Sequence, residues 1–352
     1  MENIYARCMC FDDITKEIYA LSEISNEIYK YEEDNNRTIL IANINETVSE
    51  DTWFGRMKYC KGNIILFPRK AKNIYVINVK NSKISALSYD MFPDCISYGS
   101  IGFFSYVFNE KLYLFYRNPV AFYELDLDLM MVRKIEWLET VEKYGFISFA
   151  SDCGEKIILY FTQEKLMVLV DLHQEKYEII DLHSYEYKMY DGCNDNRYIY
   201  IHDKRIINKL DYNGNLIETR TLQNKESITG CIGHDSVTYF VINNRIYYIN
   251  YLNKMTEVNF DYSKVKAIKI MGENKQGICF RFHLKSEEDI FKVEYYLISE
   301  NSIKKIFIPN PQNNNTKLNF GEEKDWYIHD YFKNIVVESN DIQLQDFLLI
   351  VK

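Results

Sequence analysis

Six positions at the ends of successive apolar segments carry side chains able to hold or move charge: Arg69, Arg117, Gln163, His202, Asn243 and His283. Two arginines can clamp a carboxylate or phosphate bidentately, and two histidines can donate, accept or titrate near neutral pH. Trp53, Arg56 and Lys58 share one short segment, with the two cations at i and i+2 and therefore on one face of a strand. This set suits recognition of a polar or anionic ligand, with proton transfer by His202 or His283 as the enzymatic extension. Loops are polar in any soluble protein, so solvated turns are the plainer account of most of the six, and exposed sheet ends that of Arg56 and Lys58.

Signatures of catalysis are missing. The chain has no Gly-x-Ser-x-Gly, no His-Glu-x-x-His, no glycine-rich phosphate loop and no regular Asp-rich calcium repeat. Acid pairs such as Glu32 with Glu33 and Glu287 with Glu288 are adjacent and read as solvated loop charges. The dipeptides His202-Asp203 and His329-Asp330 carry no mechanism by themselves.

Eight cysteines are too sparse for a disulfide scaffold in a chain of 352 residues. Cys60, Cys153, Cys193 and Cys231 recur near one place in their segments, which admits two readings. One is a ring of thiolates around a channel; the other, favoured, is a small apolar side chain at a crowded position. Cys8 and Cys10 share a strand face but make only half a tetrahedral set. No metal and no cofactor are expected.

The elements that must position these residues are a repeat. One strand recurs at Ile18, Ile64, Leu112, Ile157, Tyr198, Val237 and Ile278, in steps of 39 to 48 residues. That is the spacing of a four-stranded propeller blade. A second strand follows most copies, and five of six end in Asn or Asp: Asn78, Asp126, Asp171, Asp211 and Asn250. Such side chains bond backbone two residues on and open a turn, after which a third strand returns, as at Lys83 to Leu87 and Lys134 to Leu138. A further strand precedes each copy, for example Trp53 to Tyr59, Tyr144 to Ala150 and Ile228 to Ile232.

With 30 Tyr and 21 Phe the composition favours strands, and the strands are apolar in runs rather than alternating. Burial on both faces produces that pattern, as in a blade sandwiched between neighbours. The expected fold is all-β: a single seven-bladed β-propeller of four-stranded antiparallel blades, with six or eight blades as the alternative. Residues 1–352 read as one domain, in which 309–324 form a polar loop and 325–352 a closing segment packed on the first blade. The innermost strand of that blade comes from Tyr5 to Phe11 or from the C-terminal segment.

The net charge of −9 is dispersed and shows no basic stripe, so nucleic acid is not an expected partner. Neither a leader peptide nor an apolar run of membrane-spanning length is evident, and the expected location is cytoplasmic, away from membranes.

The segments Asn63-Ile64-Ile65-Leu66-Phe67-Pro68 and Asn73-Ile74-Tyr75-Val76-Ile77-Asn78, with their degenerate copies over about residues 9 to 308, resemble bacterial β-propeller repeat proteins. The resemblance is to kelch or galactose-oxidase-central-domain blades, or to blades of the Tyr-Val-Thr-Asn type. The paired glycines of kelch blades and the Trp-Asp dipeptide of another large propeller family are missing, so the resemblance implies architecture and not activity. The function expected is non-catalytic recognition or scaffolding, binding a protein, peptide or small polar ligand on the loop face. The alternative is a funnel enzyme, a lyase or hydrolase acting on an anionic substrate.

Overall fold

The computed structural model describes residues 3–22, 25–33, 35–44, 54–68, 73–92, 103–117, 119–153, 156–182, 191–223, 226–285, 291–300 and 302–309. These form seven four-stranded antiparallel sheets, each a meander of four consecutive strands. The sheets stand around one axis as the blades of a seven-bladed propeller, the number that the seven sequence copies predict. The first strand of each blade is innermost: Ala6–Phe11, Phe54–Cys60, Phe103–Phe108, Phe149–Cys153, Asp191–Asn194, Ile228–His234 and Val265–Asn274. Innermost strands touch between the first and second, fourth and fifth, fifth and sixth, and sixth and seventh blades, and Ala6–Phe11 also touches Val265–Asn274, which joins the ends of the ring.

Burial explains why the strands read as apolar runs. In Lys111–Arg117 every residue but the first is buried, and in Val237–Ile242 all are, because each central strand meets a blade on both sides. Outermost strands such as Lys176–Asp181 and Leu216–Thr221 are largely exposed and polar. The core is accordingly divided among the interfaces between blades. Phe115 and Phe122 of the third blade pack with Leu159 and Val168 of the fourth, for example.

The turn chemistry follows the sequence closely. Asn78 Oδ1 accepts from the amides of Lys80 and Asn81, Asp126 Oδ1 from Asp128 and Leu129, and Asp171 Oδ1 from His173 and Gln174. Asp211 Oδ1 accepts from Asn213 and Asn215, and Asn250 Oδ1 from Leu252. Pro68 ends its strand, Asn63–Pro68, as its missing amide requires.

Two strand expectations are corrected. The outermost strand of the third blade, Met131–Lys134, stops before Ile135, and Glu136–Tyr144 form a 3-10 helix instead. Leu138 and Val141 from this helix fill the groove between the third and fourth blades, so burial prevails over strand preference there. The next innermost strand therefore begins at Phe149 and not near Tyr144.

The first blade takes its innermost strand from the N-terminal side, as Ala6–Phe11. Ring closure among the described residues joins a buried apolar cluster, in which Met9 and Ile18 of the first blade meet Met271 and Leu297 of the last, to a set of polar contacts. The Ile4 amide donates to the Ile308 carbonyl at 2.8 Å, Asn3 bridges Pro309, and Lys269 Nζ donates to the Arg7 carbonyl at 3.2 Å. The segment 325–352, expected to close the ring, lies outside the described residues, as does most of 309–324. Close approach at the axis also demands glycine: a Cβ on Gly233 would overlap the Asn194 carbonyl of the neighbouring innermost strand, and one on Gly192 would stand 2.5 Å from the Phe149 ring.

Candidate functional site at the channel end

In a meander of antiparallel strands, the start of each innermost strand and the end of the strand beside it lie at the same end of the blade. The connections between blades emerge there too. Arg117 and His202 are the last residues of Lys111–Arg117 and Ile199–His202, His283 is near the end of Gly277–Lys285, Asn243 follows Val237–Ile242 directly and Gln163 stands two residues beyond Lys156–Phe161. All five therefore lie toward one face. Arg69 and Trp53 fall outside the described residues.

Those five differ sharply in what surrounds them. Gln163 and Asn243 are exposed turn residues, and Asn243 Oδ1 accepts from the Ser227 amide at 3.0 Å, tying the start of the sixth blade to its hairpin. Arg117 is buried. Its Nε donates to the Ile147 carbonyl at 3.0 Å and its Nη2 to the Ser148 carbonyl at 2.9 Å, while the guanidinium lies over the rings of Phe104 and Phe146. It fastens the third blade to the fourth. His283 is buried edge-on to Tyr5, with ring centroids 5.8 Å apart. Burial and the nearby cations Arg281 and Lys269 push its imidazole down to about 2, so it is neutral at any ordinary pH.

His202 stands in a different environment. It lies opposite Asp191 in the register of the fifth blade, and Cys231 approaches from the innermost strand of the sixth. One ligand atom from each of Asp191, His202 and Cys231 lies within 4.8 Å of the others. Arg56, from the second blade, acts on Asp191 across the axis, and its guanidinium rests 4.8 Å over the Phe104 ring. Lys58, two residues on, likewise acts on Asp152 of the fourth blade. The two cations thus share the channel side of their strand. Arg56, Asp191 and Cys231 are only partly exposed although protein surrounds them closely, as befits side chains lining a narrow channel.

Burial dominates the electrostatics. It lowers Arg56 from its usual range and raises Asp191, against which His202, the Gly192 amide, Arg117 and Arg56 favour the carboxylate. For His202, burial opposes charge, but negative charge at Cys231 and Asp191 and the Asp203 carbonyl, 2.7 Å from Nδ1, outweigh it and lift the imidazole to about 9. Cys231 itself is pushed well above the usual thiol range by burial and by Cys193 beside it.

The recurring cysteines do not make a ring. Cys60 and Cys153 end their innermost strands, whereas Cys193 and Cys231 lie higher, within theirs. Cys60 and Cys193 are buried in inter-blade clusters, as the small-apolar reading expects, and Cys8 and Cys10 together enter the cluster between the first two blades. Cys231 differs because it reaches the channel group. Asp191 escaped the sequence reading altogether. Its signal was a carboxylate starting the short segment Asp191-Gly192-Cys193, beside a glycine that lets the innermost strands close up.

The sequence matches no protein-family model and no curated protein. Solved structures share the fold. A catalytically inactive virginiamycin B lyase from Staphylococcus aureus, in complex with quinupristin, superposes with a TM-score of 0.58 at 11% identity, over 85% of this chain and 97% of that one. Kluyveromyces lactis Hsv2 gives 0.54 at 8% identity, over 85% and 98%, and the β-propeller domain of Cps50 (Swd1) from Myceliophteria thermophila gives 0.54 at 7%, over 85% and 99%. At such identities the likeness is one of architecture, and the chain is similar to these proteins as a seven-bladed propeller.

Proposed function

We propose that the protein is a recognition propeller that binds a small polar or peptide ligand bearing an anionic group. The ligand sits at the channel end carrying the connections between blades. The observation that supports this reading is the gathering of Arg56, Asp191, His202 and Cys231 from the second, fifth and sixth blades around one channel. Side chains from several blades converge there while each is held by its own packed sheet, which is the preorganisation a specific site needs. Arg56, on the channel side beside Asp191, is the anion-holding group in this reading, and Arg117 is engaged with backbone carbonyls at the start of the fourth blade. A cytoplasmic setting suits Cys10, Cys60, Cys193, Cys231 and Cys279, which are thiols. No helix of the described residues is long and apolar enough to cross a membrane.

The test is a thermal-shift screen of small carboxylates, phosphates and acidic peptides against the full chain and its Arg56→Ala variant. A hit that stabilises the full chain and loses more than about tenfold in affinity in the variant is expected, from the roughly 1.5 to 3 kcal/mol carried by a hydrogen bond to a charged group. Hits indifferent to Arg56, or a footprint on the outer strands, would place recognition elsewhere.

The funnel-enzyme reading keeps one specific observation in its favour, the opposition of His202 and Asp191, which suits proton transfer to an anion held by Arg56. Turnover of a bound hit, lost in His202→Gln while binding persists, would select it over recognition alone.

A further inference from the structure

The geometry points to a divalent-metal site, of the kind zinc occupies, made by Asp191, His202 and Cys231. The site shares its residues with the ligand reading but does not rest on it, because its three donors belong to this chain whatever else the channel holds. Sequence alone led to no metal here, since the ligands are split between blades and one, Asp191, has no motif around it.

The donors are one carboxylate oxygen, one imidazole nitrogen and one sulfur, mutually within 4.8 Å. A mixed sulfur, nitrogen and oxygen set is borderline in softness and suits zinc among the divalent cations, at close to tetrahedral geometry. His202 is prepared for it. The Asp203 carbonyl 2.7 Å from Nδ1 takes that nitrogen's proton in a hydrogen bond, which leaves Nε2 as the ligating atom. Among the described residues Nε2 is buried with no hydrogen-bond partner beyond the Cys231 thiol beside it, a costly condition for a residue only 2% exposed. Asp191 is held as well, by the Gly192 amide donating to Oδ1 at 2.9 Å.

Charge balance favours the assignment. Carboxylate and thiolate neutralise a divalent cation, and binding releases the Cys231 proton and the Nε2 proton of the His202 imidazolium to solvent. Arg117 and Arg56 act on Asp191, and bare positive charge there would repel the metal. The neutral cluster removes that repulsion, and a water or an anionic donor from the channel completes the fourth position beside the guanidinium. Three protein ligands with the fourth position left to water or a bound group is the pattern of open zinc sites, whereas structural sites supply all four ligands.

The experiment titrates cobalt(II), as a spectroscopic stand-in for zinc, into chelator-stripped, reduced full-length protein. One equivalent should bind and produce a thiolate-to-cobalt charge-transfer band together with intense tetrahedral visible bands, and zinc should displace it. Cys231→Ser should abolish the charge-transfer band. Asp191→Asn and His202→Gln should each weaken binding by more than about tenfold, since even outer-shell changes cost metal sites 10- to 100-fold. Cys60→Ser, buried between the second and third blades, should leave the band intact. Should Cys231→Ser fail to fold, X-ray absorption on the zinc-loaded wild type decides the matter, because the assignment requires sulfur in the first coordination shell. A band that survives in Cys231→Ser, a shell without sulfur, or no stoichiometric binding would overturn the proposal.

Discussion

The hydroxyl of Tyr295, in the last blade, donates to the Ile4 carbonyl at 2.8 Å and accepts from the Ala6 amide at the same distance, across 291 and 289 residues of sequence. All three residues are buried, so one phenol satisfies two backbone groups that water cannot reach. Replacing Tyr295 with Phe keeps the ring and orphans both groups. The expected loss is about 2 to 4 kcal/mol, from the cost of two unsatisfied buried groups. Urea unfolding measures it; a midpoint within error of wild type would show that the seam closes without this hydroxyl.

Arg117 is expected to be a stability residue. Arg117→Ala leaves the Ile147 and Ser148 carbonyls without their guanidinium donors and removes the cation from between Phe104 and Phe146. A loss of about 2 to 4 kcal/mol follows, and Arg117→Lys should recover little of it, since an ammonium cannot reproduce the planar fork. If Arg117→Lys melts like wild type, the planar geometry is not what matters.

His283 gives a pH dependence of known sign. Its folded value, about 2, lies far below the roughly 6.5 of a free imidazole, because burial and then Arg281 and Lys269 oppose its charge. Below about pH 6.5 the unfolded chain binds a proton at this residue that the folded chain refuses. Stability therefore falls on acidification through that window, by up to about 1.4 kcal/mol per pH unit. His283→Gln should remove this share of the acid sensitivity. Comparing denaturant midpoints of the two proteins at about pH 7 and pH 4 checks it, and parallel curves would count against a neutral buried His283.

Gly233→Ala should be among the harshest small changes in the chain. Its new methyl group would overlap the backbone carbonyl of Asn194, so the innermost strands of the fifth and sixth blades must separate. Overpacking of this kind costs about 1 to 3 kcal/mol, and backbone obstruction places Gly233 at or above the top of that range. Gly62→Ala, in a turn where the added methyl group meets nothing within 4 Å but φ is +70°, isolates the conformational effect for comparison. Equal melting temperatures for the two variants would refute the packing argument.

Much of the fold was legible in the sequence because its determinants are local and repeated. Seven strands in near-register fixed the blade count. The side chains at Asn78, Asp126, Asp171, Asp211 and Asn250 fixed where hairpins turn, since an Asx turn needs nothing beyond its own neighbours. Apolar runs told which strands are covered on both faces. The exception, Glu136–Tyr144, arose where a groove between blades rewarded burial of Leu138 and Val141 over strand continuity.

The candidate site was legible only in part, because convergence on an axis is not a local property. Sequence placed Arg117, Gln163, His202, Asn243 and His283 toward one face, and Arg56 with Lys58 on one side of a strand, yet it could not rank them. Tertiary packing turned Arg117 toward backbone carbonyls and left Gln163 in solvent. It also separated two histidines that look alike in sequence: His283 lies among cations that hold it neutral, and His202 faces the Asp191 carboxylate that favours its charge. Asp191 and Cys231 stand 40 positions apart in the sequence, and only the packing of the fifth blade against the sixth brings both to one imidazole. Spacing along a chain records which residues share a strand face, whereas the distance between blades is set by how their side chains fill the space between them.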